Sequence, residues 1–381
     1  MTITINNKNK KTNVPNLRFP EFQGEWENMR LDAFTKRVMR KNKSNQSRLP
    51  LTISAQYGLV DQITFFNKVV ASTDLSNYYL LKKGEFAYNK SYSSDYPWGA
   101  IKRLDNYDQG ALSSLYICFA PQDNVVSDFI LQYFESPKWH KGISEIAVEG
   151  ARNHGLLNVA VQDFFHTYHY VPKDKKEQIK ISKLLMLLDE RIATQNKIID
   201  KLLSLIKGIR NKLFENDKDW RKAKIREFLC IGNGKDYKHL DIGDIPVYGT
   251  GGKMLSVNDF LYDGDSVCIG RKGTIDTPLF LTGKFWTVDT LFYTYGFKDV
   301  LPKFCYYLFK QINWQLYNEG TGVPSLSKST IENIKVRIPS IVQQYKICYI
   351  LDSYEDKIKN EGLILDLYCS QKQYLLRQMF V

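Results

Sequence analysis

Two globular α+β domains, separated by two long antiparallel coiled-coil helices and related by an internal pseudo-two-fold repeat, are the fold this 381-residue sequence predicts. Three observations predict it. The stretch from Pro172 to Phe214 has the apolar spacing of one long helix, a weaker copy runs from Pro339 to Phe380, and the segments preceding the two share landmarks in the same order.

In the central stretch, Ile192, Gln195, Ile199, Leu202, Ile206, Ile209 and Leu213 step alternately by three and four, and all but Gln195 are apolar. That is a coiled-coil seam, which Leu188 extends backwards. Ile198, Leu203 and Leu205 lie beside it, so the stripe is wider than one partner helix requires. In the copy the seam holds Tyr354, Ile358, Leu365, Tyr368, Leu375 and Met379, with polar Glu361 and Lys372; these two and Gln195 are the breaks where register control is expected. A constant offset of 166 sets Gln178 on Gln344, Lys180 on Lys346 and Phe214 on Phe380. Each run opens with a proline, which a first helical turn tolerates. At about 1.5 Å per residue each run makes a rod of about 60 Å. Such a helix is marginal alone in water, so it needs a partner, and its own repeat is the nearest.

The globular segments repeat with a drifting offset. Trp26 matches Trp220 at 194, Gly84 matches Gly264 at 180, Leu115-Tyr116 matches Leu291-Phe292 at 176, and Glu149-Gly150 matches Glu319-Gly320 at 170. A monotonic fall is what duplication produces when the second copy loses loop residues. The expected organisation is a disordered leader (1–15), a first globular domain (16–171), a spacer helix (172–214), a second globular domain (215–338) and a C-terminal spacer helix (339–381). In the second domain IPVY, DSVCI, PLFL and LFYTY read as strands. Asp263-Gly264 reads as a hairpin turn, and Leu301 to Tyr317 as one helix. Its counterpart, SDFILQYFES, has Ser127 or Asp128 as cap.

Composition bounds the function. A net charge of +12 with 13% aromatic residues favours nucleic acid as partner ahead of a membrane surface. Six cysteines without C-x-x-C spacing read as reduced and mostly buried, as in a cytoplasmic protein. The polar start lacks the apolar core of a signal peptide, and no apolar run approaches membrane-spanning length.

Catalytic patterns are missing. His166 and His169 would point to opposite faces of a strand and read as surface or edge histidines, since zinc wants four converging ligands. YGTGGK lacks the spacing and terminal Ser/Thr of a phosphate-binding P-loop. Asp263 and Asp265 flank a turn and read as solvated. The expectation is a chain with no catalytic residue, no metal and no cofactor.

What the globular domains offer is basic, glycine-rich loops. In the second domain YGTGGK, IGRKGT and NEGTGVPSLS present Tyr248, Thr250, Lys253, Arg271, Lys272, Thr274, Thr321 and Ser325. Glycines admit a close polyanion, cations neutralise phosphates, and arginine reads guanine bidentately. The matching places in the first domain hold Tyr88, Lys90, Tyr92, Ser93, Lys102 and Arg103, and then Arg152, Asn153 and His154. Different loop chemistry on one design implies two different readings. Solvated surface charge is the plain alternative for any single residue.

The alternation of variable domain and P-x-x-x-(x)-Q-x-K-I helix, twice over, resembles the specificity subunit of type I restriction-modification systems. IPVYGTGGK, YDGDSVCIGRKGTIDTPLF, KFWTVDTLFY and NEGTGVPSLSKSTIENIKVRIP resemble its target-recognition domain, and VPNLRFPEFQGEW its leader. The resemblance spans Val14 to Phe380 and is weakest in the first domain apart from its flanks. It implies a split, asymmetric site on double-stranded DNA read half by each domain, with the paired helices fixing the spacer. It also implies two methylation subunits that bind S-adenosylmethionine and modify adenine, and restriction subunits that translocate DNA with ATP and Mg. A stand-alone nuclease or methyltransferase, or a coiled-coil assembly scaffold, are the alternatives.

Overall fold

The computed structural model describes residues 4–5, 13–68, 71–147, 155–215 and 219–381. The chain forms two compact units, one of residues 1–195 with 364–381, the other of residues 196–363. Four helices matter below: α1 (Ser127–Glu135), α2 (Lys175–Glu215), α3 (Pro302–Phe309) and α4 (Ile341–Gln378). The start of α2 and the end of α4 belong to the first unit, and their other halves to the second.

In the first unit, one sheet orders its strands Gly58–Asp61, Pro50–Ser54, Gln109–Leu112 and Tyr79–Lys82. A second orders Thr35–Arg37, Ile117–Pro121, Phe86–Asn89 and Ala100–Arg103. A two-stranded ribbon pairs Glu27–Arg30 with Tyr168–Val171. Of the expected leader, Thr4–Ile5 pairs with Leu17–Arg18 and most of the rest lies outside the described residues.

The second unit repeats this order. One sheet runs Gly252–Val257, Ile242–Gly249, Lys284–Thr287 and Tyr262–Asp263. The other runs Cys230–Asn233, Leu291–Tyr295, Ser266–Gly270 and Leu279–Leu281. The ribbon is Arg221–Lys224 with Lys335–Ile338. Each unit contains one parallel pair at the same place, Pro50–Ser54 beside Gln109–Leu112 and Ile242–Gly249 beside Lys284–Thr287. The α+β duplication read from drifting offsets is therefore a duplication of strand order.

Each unit closes its core over two helix ends. In the first, Ile181, Leu185 and Leu188 of α2 join Leu375, Leu376, Met379 and Phe380 at the end of α4. Phe380 lies 6.3 Å from Trp26 and 5.5 Å from Phe129, ring to ring. In the second, Ile347, Cys348 and Leu351 of α4 join Phe214 at the end of α2, and Phe214 lies 5.6 Å from both Trp220 and Phe304. Each Trp and phenylalanine pair thus holds the last aromatic residue of the other half's helix. Burying such a ring is worth several kcal/mol against truncation, roughly 3–5.

The coiled-coil spacing holds where the seam can be followed. In the first unit Lys372 forms an ion pair with Asp189, and Arg191 donates to the Tyr368 hydroxyl at 3.4 Å, so the helices run antiparallel. In the second, Leu203, Ile206 and Arg210 line one hollow with Leu351, Glu355 and Ile358, and Ile209 and Leu213 line another with Gln343 and Ile347. The direction is again antiparallel. Gln195 and Leu202 are buried, Ile192, Ile199, Ile206, Ile209 and Leu213 half-buried. On α4, Tyr354, Ile358, Leu365, Tyr368 and Lys372 are half-buried and Leu375 and Met379 buried. Ile198, Leu203 and Leu205 are exposed, so the extra width of the stripe is not consumed within the chain.

Several local expectations are corrected. The helices start three and two residues after their prolines, because Asp174 accepts from Lys176 N–H at 2.8 Å and Ser340 from Gln343 N–H at 3.4 Å. Neither Ser127 nor Asp128 caps α1. Its N-cap is Val126, and the side-chain oxygen of Gln178 accepts from Val126 N–H. Leu301 to Tyr317 is not one helix: α3 ends at Phe309, and the Trp314 indole turns back to donate to the Phe309 carbonyl at 2.9 Å. Trp139 does the same to Phe134 at 2.9 Å. Asp263-Gly264 does not close a hairpin, since the flanking strands lie in different sheets. The Leu115 match fails in environment, exposed in a turn where Leu291 is a buried strand residue. Glu149-Gly150 lie outside the described residues.

Candidate nucleic-acid interface

The three second-domain loops converge. YGTGGK is the tip of the hairpin between Ile242–Gly249 and Gly252–Val257, closed by Gly249 opposite Gly252, whose φ of 107° favours glycine. IGRKGT folds as a tight turn in which a Cβ at Gly270 would overlap the Thr274 carbonyl. That turn meets the third loop directly. Gly273 N–H donates to the Pro324 carbonyl at 2.8 Å, Leu326 N–H donates to the Arg271 carbonyl at 2.9 Å, and Lys272 bridges Ser325 as a strand partner. Thr250 Oγ1 stands 3.7 Å from where a Cβ of Gly273 would lie, which joins the hairpin tip to the same cluster.

Around this cluster Arg271, Lys272, Thr274, Lys253 and Thr321 are exposed, while Tyr248, Thr250 and Ser325 are half-buried. No ion pair holds Arg271, Lys272 or Lys253 among the described residues. Arg271 lies over the Phe292 ring at 5.9 Å, which steadies a guanidinium without neutralising it. The third loop is braced from within: Asn318 Oδ1 accepts from Gly320 and Ser325 N–H, each at 2.9 Å. Glu319 accepts from Ser327 and Thr330, which holds its carboxyl below the usual range. The Glu319 carboxylate is therefore ionised and tied to the loop's own hydroxyls, while Arg271, Lys272 and Lys253 stand exposed beside it.

In the first unit the corresponding turns also meet. Ser91 bridges Leu156, Tyr92 N–H donates to the Gly155 carbonyl at 3.1 Å, and Leu157 N–H to the Lys90 carbonyl at 2.8 Å. Tyr92 and Ser93 are exposed there and Lys90 half-buried. Arg152, Asn153 and His154 lie outside the described residues. Three candidates are structural instead. Tyr88 is fully buried, stacked at 5.0 Å on Phe164 with its hydroxyl donating to the Trp98 carbonyl. Lys102 pairs with Glu135 at 2.6 Å. Arg103 is held by Asp105 and Asp128, each at 2.7 Å. Strand positions alternate inward and outward, and a loop-like run of letters did not show which way Tyr88 faced.

One place was missed. The hairpin of Pro50–Ser54 and Gly58–Asp61 is the counterpart of YGTGGK, and it presents exposed Gln56 and Tyr57. The signal was available: the offset of 194 that sets Trp26 on Trp220 also sets Gly58 on Gly252, and both glycines have positive φ. Beside Tyr57, Phe65 and Phe66 are exposed and packed ring edge to ring face.

Neither His166 nor His169 belongs to a metal-ligand cluster among the described residues. His166 ends a short helix, Val161–His166. His169 is buried, not at the surface, and desolvation pushes its pKa down to about 3. Thr167 donates to the Phe164 carbonyl, so it accepts from Nε2–H of His169, and Nδ1 accepts from the Tyr133 hydroxyl at 2.8 Å. Among the described residues no three His, Cys, Asp or Glu side chains converge on a metal position, and no helix is long and apolar enough to cross a membrane. All six cysteines are free thiols, four buried and two, Cys230 and Cys369, exposed.

Comparison with known proteins agrees with this architecture. Residues 217–366 match the type I restriction modification DNA specificity domain. A putative type I restriction enzyme specificity subunit of Haemophilus influenzae is 29% identical over 152 residues, 35% of this chain and 39% of that protein. The MjaVIII specificity subunit of Methanocaldococcus jannaschii is 24% identical over 133 residues, 33% of this chain and 29% of that protein. The chain thus spans well under half the length of these curated relatives. In fold, a crystallographic S subunit of a type I restriction-modification system from M. genitalium covers 97% of this chain and 99% of its own, with TM-score 0.60 and 18% identity. A structure from work on assembly and conformational transition of a type I system covers 93% and 97%, with TM-score 0.59 and 13% identity. Residues 217–366 thus match the type I restriction modification DNA specificity domain, and the chain shares its fold with S subunits of such systems.

Proposed function

We propose that this chain is the sequence-reading, non-catalytic subunit of a type I restriction-modification complex. Each globular domain reads one half of a split, asymmetric site on double-stranded DNA, and the paired helices set the unspecified spacer. Two methylation subunits carry S-adenosylmethionine and modify adenine; restriction subunits translocate DNA with ATP and Mg. The observation that carries the reading is the convergence of three glycine-rich loops at Gly273 and Pro324, with Arg271, Lys272 and Lys253 exposed beside them. Exposed cations neutralise phosphates, and an exposed arginine such as Arg271 is the residue type that reads a guanine edge bidentately. The exposed apolar residues Ile198, Leu203 and Leu205 of α2 offer a docking surface to a methylation subunit. The test is to replace residues 220–338 by the equivalent domain of another such chain and map methylated adenines. One half-site changes and the other persists; a change in both, or in neither, refutes the assignment.

A further inference from the structure

The ribbon that closes the second unit is chemically unlike its counterpart in the first. Lys222 stands opposite Arg337 and Lys224 opposite Lys335. Residues two apart on a strand share a face, so all four cations lie on one side, while Ala223, Val336 and Ile338 turn toward the core. Like charges directly opposite each other destabilise a strand pair. The equivalent face of the first ribbon carries Asn28, Arg30, Tyr168 and Tyr170. Duplication supplied the ribbon, and only the second copy gathers four cations on that face.

The four cations line a hollow of about 960 Å³, with Phe214 and Trp220 on its apolar wall. Glu215 and Glu227 share the rim, and Glu227 accepts from Lys224 N–H at 3.0 Å. Lys224 Nζ reaches Asn333 at 3.3 Å, and Lys222 and Lys335 are exposed. Along each strand the paired cations are about 7 Å apart, which forms two short parallel rows of positive charge.

We propose that this face is a phosphodiester-binding track, separate from the three-loop cluster, that grips the DNA backbone without reading bases. The proposal rests on the DNA-binding reading above. It accounts for the gathering of four cations on one face of the ribbon, where a polyanion lowers their mutual repulsion.

The experiment titrates the full chain, wild type and Lys222→Gln/Lys335→Gln, against a random-sequence duplex and a duplex carrying the methylated site, over roughly 50 to 200 mM salt. The expected result is a log–log salt slope shallower by about 2 and an affinity loss of about tenfold, equal on both duplexes. Lys222→Arg/Lys335→Arg should restore the slope. An unchanged slope in the glutamine variant, with the wild type still binding, overturns the track and leaves the DNA reading intact. Loss of methylation-subunit capture with an unchanged slope overturns it in favour of an acidic protein partner. No salt-dependent binding by the wild type removes the DNA reading itself. Melting temperature controls for folding: the glutamine variant should melt no lower than wild type, because it removes repulsion.

Discussion

Gln178, in the first turn of α2, accepts a hydrogen bond from the backbone N–H of Val126 at 2.7 Å and donates to the Pro172 carbonyl at 2.8 Å. Gln344 repeats this in α4, accepting from Leu301 N–H at 2.8 Å and donating to Pro339 at 3.0 Å. Val126 and Leu301 are the N-caps of α1 and α3, and neither has a side-chain cap of its own. One buried amide therefore ties a domain to its trailing helix. Replacing either glutamine by alanine leaves buried groups unpaired and should cost about 1–3 kcal/mol, seen as a lower urea midpoint for the unit concerned. Equal loss from both units on mutating one glutamine would contradict this.

Arg18 and Glu177 form a buried, two-pronged ion pair at 2.7 and 2.8 Å, and the Trp26 indole donates to the same carboxylate at 3.2 Å. Arg18→Met strands that carboxylate and should destabilise the first unit by about 3–5 kcal/mol. Adding Glu177→Leu should recover most of it, and denaturation of the single and double variants measures the difference. A double variant no better than the single would disprove the coupling.

His169 predicts acid sensitivity in the first unit. Its folded pKa of about 3 lies below the unfolded value near 6.5, so on acidification the unfolded chain takes up the proton first. The contribution of the neutral ring is full above about pH 6.5 and is lost between there and about 3, at up to about 1.4 kcal/mol per pH unit. His169→Gln should flatten the stability–pH curve in that window, and a curve of unchanged steepness would rule this out.

Gly208 and Gly362 lie inside α2 and α4, have no positive φ, and leave open space where a Cβ would stand, with nothing within 4 Å of it. Alanine at either should stabilise by roughly 0.5–1 kcal/mol through helix propensity. Thermal melts of the two variants check this; a lower melting temperature would show that the glycines serve something else.

The spacer prediction follows from the antiparallel pairing. Inserting about one turn, four residues, into α2 and correspondingly into α4 should lengthen the unspecified gap in the methylated site, without changing either half-site. Methylation mapping reads the outcome, and a gap of unchanged length would refute the helix pair as its determinant. In the same assay Arg271→Ala should weaken binding by about 1–3 kcal/mol and relax one base position.

The amino-acid sequence by itself determined what depends on periodicity and order. The step of three and four made α2 and α4 helices with a seam, and the drifting offsets established that two halves share one design. It also marked the glycine-rich loops, because glycine and short polar residues are needed wherever a backbone turns sharply. What it could not show was direction and partnership across distance. Tyr88, Lys102 and Arg103 have the letters of a binding loop, yet strand pleating turns one into the core and Glu135, Asp105 and Asp128 hold the others. Gln178 lies 52 residues from Val126, and nothing local links them. Only the tertiary structure brought Arg271, Thr250 and Pro324 to one place, and only strand register put four cations on one face of a ribbon. Burial and cross-strand pairing are set by residues far apart in the chain, and so they appear only once it has folded.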